Sequence, residues 1–98
     1  MAAFKLSTHI AAEAETLEAA EWYRERSEVA AFRFGRALDS KIEEIVEHPD
    51  RWPLFEAGTR RAVLSSFPYS VVYRVRGEVV EIVAIMHQRR QPGYWADR

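Results

Sequence analysis

The sequence contains no cysteine, which excludes disulfides, thiolate catalysis and thiolate metal sites together. Glycine and proline number only four each, and no glycine cluster forms a loop able to cradle a phosphate. The three histidines, His9, His48 and His87, lack the spacing of a metal site, and no serine sits in the turn of a nucleophile elbow. No cofactor and no metal are therefore expected. Long apolar runs are also missing, the longest falling far short of the roughly 20 residues that a membrane span needs. Met1-Ala2-Ala3-Phe4-Lys5 leads straight into patterned sequence, unlike a signal peptide. The expected compartment is the cytoplasm, with no membrane partner.

What is present is the composition of an ordinary folded globule, 48% hydrophobic and 30% charged. At 98 residues the chain closes one hydrophobic core and no more, so a single domain over residues 1–98 is expected. The net charge of −1 is unevenly spread: residues 1–59 sum to −5 and residues 60–98 to +4. A protein that coats nucleic acid needs a basic surface to displace counterions, and this balance excludes that class while leaving room for a local basic site in the C-terminal part.

The order of periods along the chain gives the fold. Phe4 and Leu6 alternate with Lys5 and Ser7 as in a short strand, and Ser7 and Thr8 offer hydroxyls to cap a helix. From about His9 to Arg26, Ala14, Leu17, Ala20 and Tyr23 recur at steps of three, with Glu13, Glu15, Glu18, Glu21 and Glu25 assigned to solvent. Ser27 caps a second helix in which Ala31, Phe34, Leu38, Ile42 and Ile45 form the apolar stripe, and His48-Pro49 ends it. So short a break folds the two helices back as an αα-hairpin. Pro49, Pro53 and Gly58 mark a loop whose Trp52 and Phe55 plug the core edge. Residues 60–65, 69–76 and 79–87 alternate and are rich in Val, Ile and Tyr, with a tight turn at Arg76-Gly77-Glu78. The expected class is α+β in the order β-α-α-β-β-β, a helical hairpin on a small antiparallel sheet.

The run from Arg60 through Phe67-Pro68-Tyr69 to Tyr73-Arg74, the strand ending at His87, and Arg89-Arg90-Gln91-Pro92-Gly93-Tyr94-Trp95 together resemble the RelE/ParE toxin superfamily. Trp22-Tyr23, His48-Pro49 and Trp52-Pro53 fit the same resemblance. It implies the toxin of a type II, plasmid-stabilisation type, toxin–antitoxin system whose cognate antitoxin wraps and silences it. RelE-like members cleave messenger RNA on the ribosome, whereas ParE-like members inhibit DNA gyrase without cleaving RNA. A toxin that only binds its antitoxin is a third outcome. Covering of the hairpin's apolar surface by the antitoxin is expected, and homodimerisation when it is absent.

Metal-free RNA cleavage needs a base, cations to offset charge on the phosphorane, and an acid for the leaving oxygen. Strand parity puts Ser70, Val72, Arg74 and Arg76 on one face. On the last strand it makes Val80, Ile82, Ala84 and Met86 the core face, leaving Glu81 and His87 opposite. The expected site therefore gathers Arg61, Arg74, His87, Arg90 and Tyr94 on the side of the sheet away from the helices, with the arginines as phosphate clamps, His87 as base or acid, and Tyr94 stacking or donating a proton. Arg61 stands where the superfamily often has lysine, Tyr94 aligns with its C-terminal tyrosine, and His87 and Arg90 match within about a residue. Ser70 stands where RelE-like ribonucleases carry a basic residue. Simpler roles compete: Arg74 and Glu81 as a cross-strand pair, Arg89 and Arg90 as holders of an acidic antitoxin tail, and Tyr94 and Trp95 as pins for the tail.

Overall fold

The computed structural model describes residues 3–98; the reading of Met1 and Ala2 lies outside them. The elements are β1 (Lys5–Thr8), α1 (Ile10–Arg24), α2 (Glu28–Glu47), a short 3-10 turn (Glu56–Gly58), β2 (Arg60–Val63), β3 (Tyr69–Arg76) and β4 (Val79–His87). Strands β2, β3 and β4 form the expected antiparallel layer, and β1 joins parallel to β4, making a mixed sheet of order β1-β4-β3-β2. Among the described residues no helix is long and apolar enough to cross a membrane.

Local chemistry accounts for the boundaries. His9, not Ser7 or Thr8, caps α1: its Nδ1 accepts the Ala11 N–H at 3.1 Å. Ser27 caps α2 by accepting the Ala30 N–H at 3.2 Å, and α2 stops at His48 before Pro49. Gly77 takes a φ of +59° at the β3–β4 turn, a conformation that suits glycine at the first position of a two-residue hairpin loop.

The buried stripe of α1 differs from the expected one. Ala12 and Ala19 are buried, and Thr16 and Tyr23 continue the same face at helical steps, while Leu17 is 71% exposed. Alanines carry the contact because small side chains let α1 approach the sheet closely, and α1 has little apolar bulk to reveal its face. The stripe of α2 is as expected, with Phe34, Leu38 and Ile45 buried. Phe34 is the hub, its ring centroid 5.2 Å from Tyr23, 5.5 Å from Phe67 and 5.4 Å from Tyr69, which ties both helices to the sheet through aromatic pairs.

The sheet is covered on both sides. Toward the helices lie Ala62, Val71, Tyr73, Val80, Ile82 and Ile85. Away from them lie Val72, Val83, Ala84 and Met86, covered by Trp95 with Phe55 and Tyr94 against it. The strand pairing explains how one strand feeds both cores. Val72 pairs with Ala84 but Tyr73 pairs with Ile82, so Val83 is an extra residue on β4, a β-bulge. Before the bulge even-numbered residues face the helices; after it Ile85 does, and Ala84 and Met86 face the tail. The unbroken parity expected for residues 79–87 is thereby corrected.

Candidate functional site

Two groups of side chains result, on different parts of the sheet. The first grows from an unfinished edge. β1 pairs with β4 only as far as Thr8 opposite Ile82, and α1 then carries the chain away, leaving the rest of that edge of β4 without a strand. A free strand edge leaves backbone groups that must find other partners. The Ile85 N–H donates to Glu15 Oε1 at 3.0 Å, and the Val83 carbonyl accepts from Arg98 Nη1 at 3.1 Å. Glu15 and Arg98 also bond each other, at 2.9 and 3.2 Å, and their side chains are only 11% and 18% exposed. Glu15 was assigned to solvent from the sequence; the stripe through Ala12, Thr16, Ala19 and Tyr23 turns it toward β4 instead.

Arg90 and Tyr94 complete this group. Arg90 Nη1 lies 3.3 Å from Glu15 Oε2, and its guanidinium carbon sits 3.7 Å from the Tyr94 ring centroid. The Arg98 guanidinium lies 5.1 Å from the same centroid, so the ring is flanked by two cations that share one carboxylate. The Tyr94 hydroxyl is buried beside Glu15 and has no hydrogen-bond partner among the described residues. Burial first, and the Glu15 carboxylate second, push its pKa well above the ordinary tyrosine value, against the opposing pull of Arg90 and Arg98.

His87 stands next to this group, toward the helices. Its ring meets Tyr69 edge-on at 5.0 Å, and its Nδ1 accepts the Arg89 N–H at 3.1 Å. Between α1 and the ends of β3 and β4 runs an open groove of about 400 Å³, to which Glu18, Trp22, Tyr23, Tyr69, His87 and Arg90 contribute.

The second group lies on the tail side. Arg61 is opposite Val72 in β2, and its guanidinium covers Phe55 at 4.4 Å; Phe55 in turn stacks on Trp95 at 5.4 Å. Arg74 is directly opposite Glu81 and bonds it through Nε, while its Nη2 donates to the Arg98 carbonyl at 2.8 Å. The cross-strand pairing of Arg74 with Glu81 is thus present, with side chains 15% and 20% exposed.

The five candidates therefore do not form one cluster on an uncovered face. Arg90 and Tyr94 meet at the edge of β4, His87 shares a groove with Arg90 alone on the side of the helices, and Arg61 and Arg74 lie on the tail side, where Tyr94 also packs but with other partners. The bulge at Val83 turns His87 toward the helices, and the tail from Gly93 onward covers the face on which the site was expected. Gly93 has φ +97°, which lets the chain double back so that Trp95 drops onto the sheet. Sequence reasoning missed the partners, Glu15 and Arg98. The helical step from Ala12 to Ala19 was the available signal for Glu15; for Arg98 the only hint was the basic excess of the C-terminal part. Among the described residues no group of His, Asp or Glu could hold a metal ion.

A family model described as the ParE toxin of the type II toxin–antitoxin system parDE matches residues 7–92. No curated protein matches the chain. Among solved structures, a chain of a chromosomal ParDE TA system from P. aeruginosa superposes with a TM-score of 0.78 at 18% sequence identity, covering 89% of this chain and 98% of that one. At such identity the likeness is one of fold.

Proposed function

Because this chain belongs to the ParE toxin family of type II toxin–antitoxin systems, within the RelE/ParE superfamily, we propose that it poisons its host by binding DNA gyrase rather than by cleaving RNA. One observation carries the reading: the groups that a metal-free ribonuclease would bring to one phosphate do not converge, since His87 faces the helices while Arg61 and Arg74 lie on the tail side, engaged with Phe55 and Glu81. Arg74 is neutralised by Glu81, and Tyr94 is held protonated by burial, which makes it a poor acid at neutral pH. What stays available is Arg89, the half-exposed Arg90 and the outer face of the hairpin, which suits a binding surface.

The antitoxin is proposed to cover the hairpin. Ile10, Leu17 and Trp22 on α1 and Val29 and Phe32 on α2 are each more than half exposed, more large apolar surface than isolated helices of a small domain ordinarily leave to water. Glu13, Glu18, Glu21 and Glu25 flank the α1 residues, so the covering segment carries apolar residues flanked by basic ones. Without it the same residues drive homodimerisation.

The test is induction of the chain without its antitoxin, followed by mapping of transcript ends, plasmid supercoiling and the DNA-damage response, with a supercoiling assay on purified gyrase. Inhibited supercoiling with intact transcripts is expected. Cut transcripts with normal supercoiling overturn the reading in favour of the ribonuclease, for which the shared groove of His87 and Arg90 is the supporting observation; His87→Ala then relieves arrest. Unaffected growth identifies a chain that only binds antitoxin.

A further inference from the structure

We propose that Glu15 is a positioning residue: it acts through Arg90, holding the C-terminal tail in the shape that engages the target. The inference rests on the proposed binding of gyrase by that tail. Glu15 has two separable duties on the page. One oxygen accepts the Ile85 N–H at 3.0 Å, closing the β4 edge where β1 stops. A neutral acceptor of the same shape performs that duty equally well.

The second duty needs charge. Two guanidinium groups, from Arg90 and Arg98, approach the Tyr94 ring at 3.7 and 5.1 Å, and Glu15 is the carboxylate bonded to both. With that charge removed, two like charges remain beside one buried ring and repel. Relief comes most cheaply by swinging Arg90 away, since its side chain is already 53% exposed, and with it the segment that carries Arg89. Arg98 is held further by the Val83 carbonyl at 3.1 Å, so the end of the tail stays seated while its start, residues 89–92, is released. Glu15 therefore sets the direction in which Arg90 points without itself reaching the surface, its side chain being 11% exposed.

The experiment compares the wild-type chain with Glu15→Gln, Arg90→Ala and the double variant. Glutamine keeps the acceptor for Ile85 and removes the charge. In the free toxin, Glu15→Gln speeds trypsin cleavage at Arg89 and Arg90 by about tenfold, as expected for a segment that opens locally. In the gyrase supercoiling assay it weakens inhibition by about tenfold, the loss of one charge-assisted contact. Antitoxin affinity changes by less than about twofold, because Glu15 is not on the outer face of the hairpin and distant sites act independently. The decisive readout is the double variant, which inhibits no less than Arg90→Ala alone, since a residue acting through Arg90 has nothing left to do once Arg90 is gone. A purely structural Glu15 gives instead additive losses together with weakened antitoxin binding, and that result overturns the proposal. Unchanged trypsin cleavage in Glu15→Gln overturns it as well, even should the wild-type chain fail to inhibit gyrase, which separates the failure of this inference from the failure of the proposed function.

Discussion

Truncating Trp95 to alanine tests whether the C-terminal tail is part of the core or an ornament on it. Trp95 is fully buried, stacked on Phe55 at 5.4 Å and edge-on to Tyr94 at 5.2 Å, and it roofs Val72, Val83, Ala84 and Met86. A buried tryptophan covers about 150–250 Å², which at about 25 cal/mol per Å² amounts to roughly 4–6 kcal/mol. Measured truncations of large aromatics cost about 3–5 kcal/mol. A domain of this size has about 5–15 kcal/mol in all, so Trp95→Ala removes about a fifth or more of its stability. Trp95→Phe behaves differently. The indole Nε1 is buried with no hydrogen-bond partner among the described residues, an arrangement worth about 1–3 kcal/mol against the fold. Phenylalanine discards that penalty while keeping a ring on Phe55, so its net cost is under about 1.5 kcal/mol. Urea denaturation of the isolated toxin, followed by far-UV circular dichroism, reads both. A loss below about 1.5 kcal/mol for Trp95→Ala refutes the claim that the tail belongs to the core, and equal losses for the two variants refute the account of the unpaired indole.

Three further outcomes follow from the same geometry. Tyr73→Phe removes the buried hydroxyl that donates to the Pro49 carbonyl at 2.6 Å and is expected to cost about 1–3 kcal/mol, read by urea titration; an unchanged midpoint would show that water replaces the bond. All four tyrosines, Tyr23, Tyr69, Tyr73 and Tyr94, have pKa values raised above 10.0, with burial the largest cause in each. An acid whose folded pKa is raised favours unfolding once pH exceeds its unfolded pKa, because the unfolded chain then binds fewer protons. Stability is thus expected to hold below pH 10 and to fall above it, by at most about 1.4 kcal/mol per pH unit for each tyrosine, and tyrosinate absorbance in the folded protein should lag that in urea. In a double-mutant cycle on Arg74 and Glu81, removing either partner is expected to destabilise more than removing both, since each side chain is mostly buried and faces the other; additive losses would mean that the pair is fully screened.

The elements that announced themselves in the sequence are those whose apolar pattern is made of large residues. The α2 stripe through Phe34, Leu38 and Ile45, its serine cap and its end at His48-Pro49, and the hairpin around Gly77 all carry strong local signals. The α1 face was misread because Ala12 and Ala19 do the packing while Leu17 faces out, and alanine is too weakly hydrophobic to mark a face against a competing leucine. The parallel pairing of β1 with β4 leaves no local mark, since it is decided by where the helical hairpin returns the chain. For the site, Arg90 with Tyr94 and Arg74 with Glu81 were legible as neighbours. The turning of His87 away from Arg74 was not, because it depends on one extra residue, Val83, in a run of apolar residues with no glycine or proline to betray a bulge.

That single residue bears on chemistry as well as on topology. Alternate side chains of a strand point to opposite faces, so an unbroken β4 would place His87 on the face of Glu81, and hence of Arg74. The bulge shifts the phase, and His87 turns toward Tyr69 and the α1 groove while Arg74 remains under the tail with Glu81 and Arg98. In-line attack on one phosphate requires the base and the charge-stabilising groups within hydrogen-bond reach of the same atoms; the sheet stands between His87 and Arg74, and Arg90 is the candidate arginine that shares the groove of His87. Deleting Val83 would bring the pairs Val72 with Ala84 and Tyr73 with Ile82 into succession and leave Ile85 toward the helices and Met86 toward the tail, whereas keeping Val83 in a regular ladder would swap them. The bulge thus sets which core each residue from Ala84 to His87 joins, and with it the side of the sheet from which His87 acts.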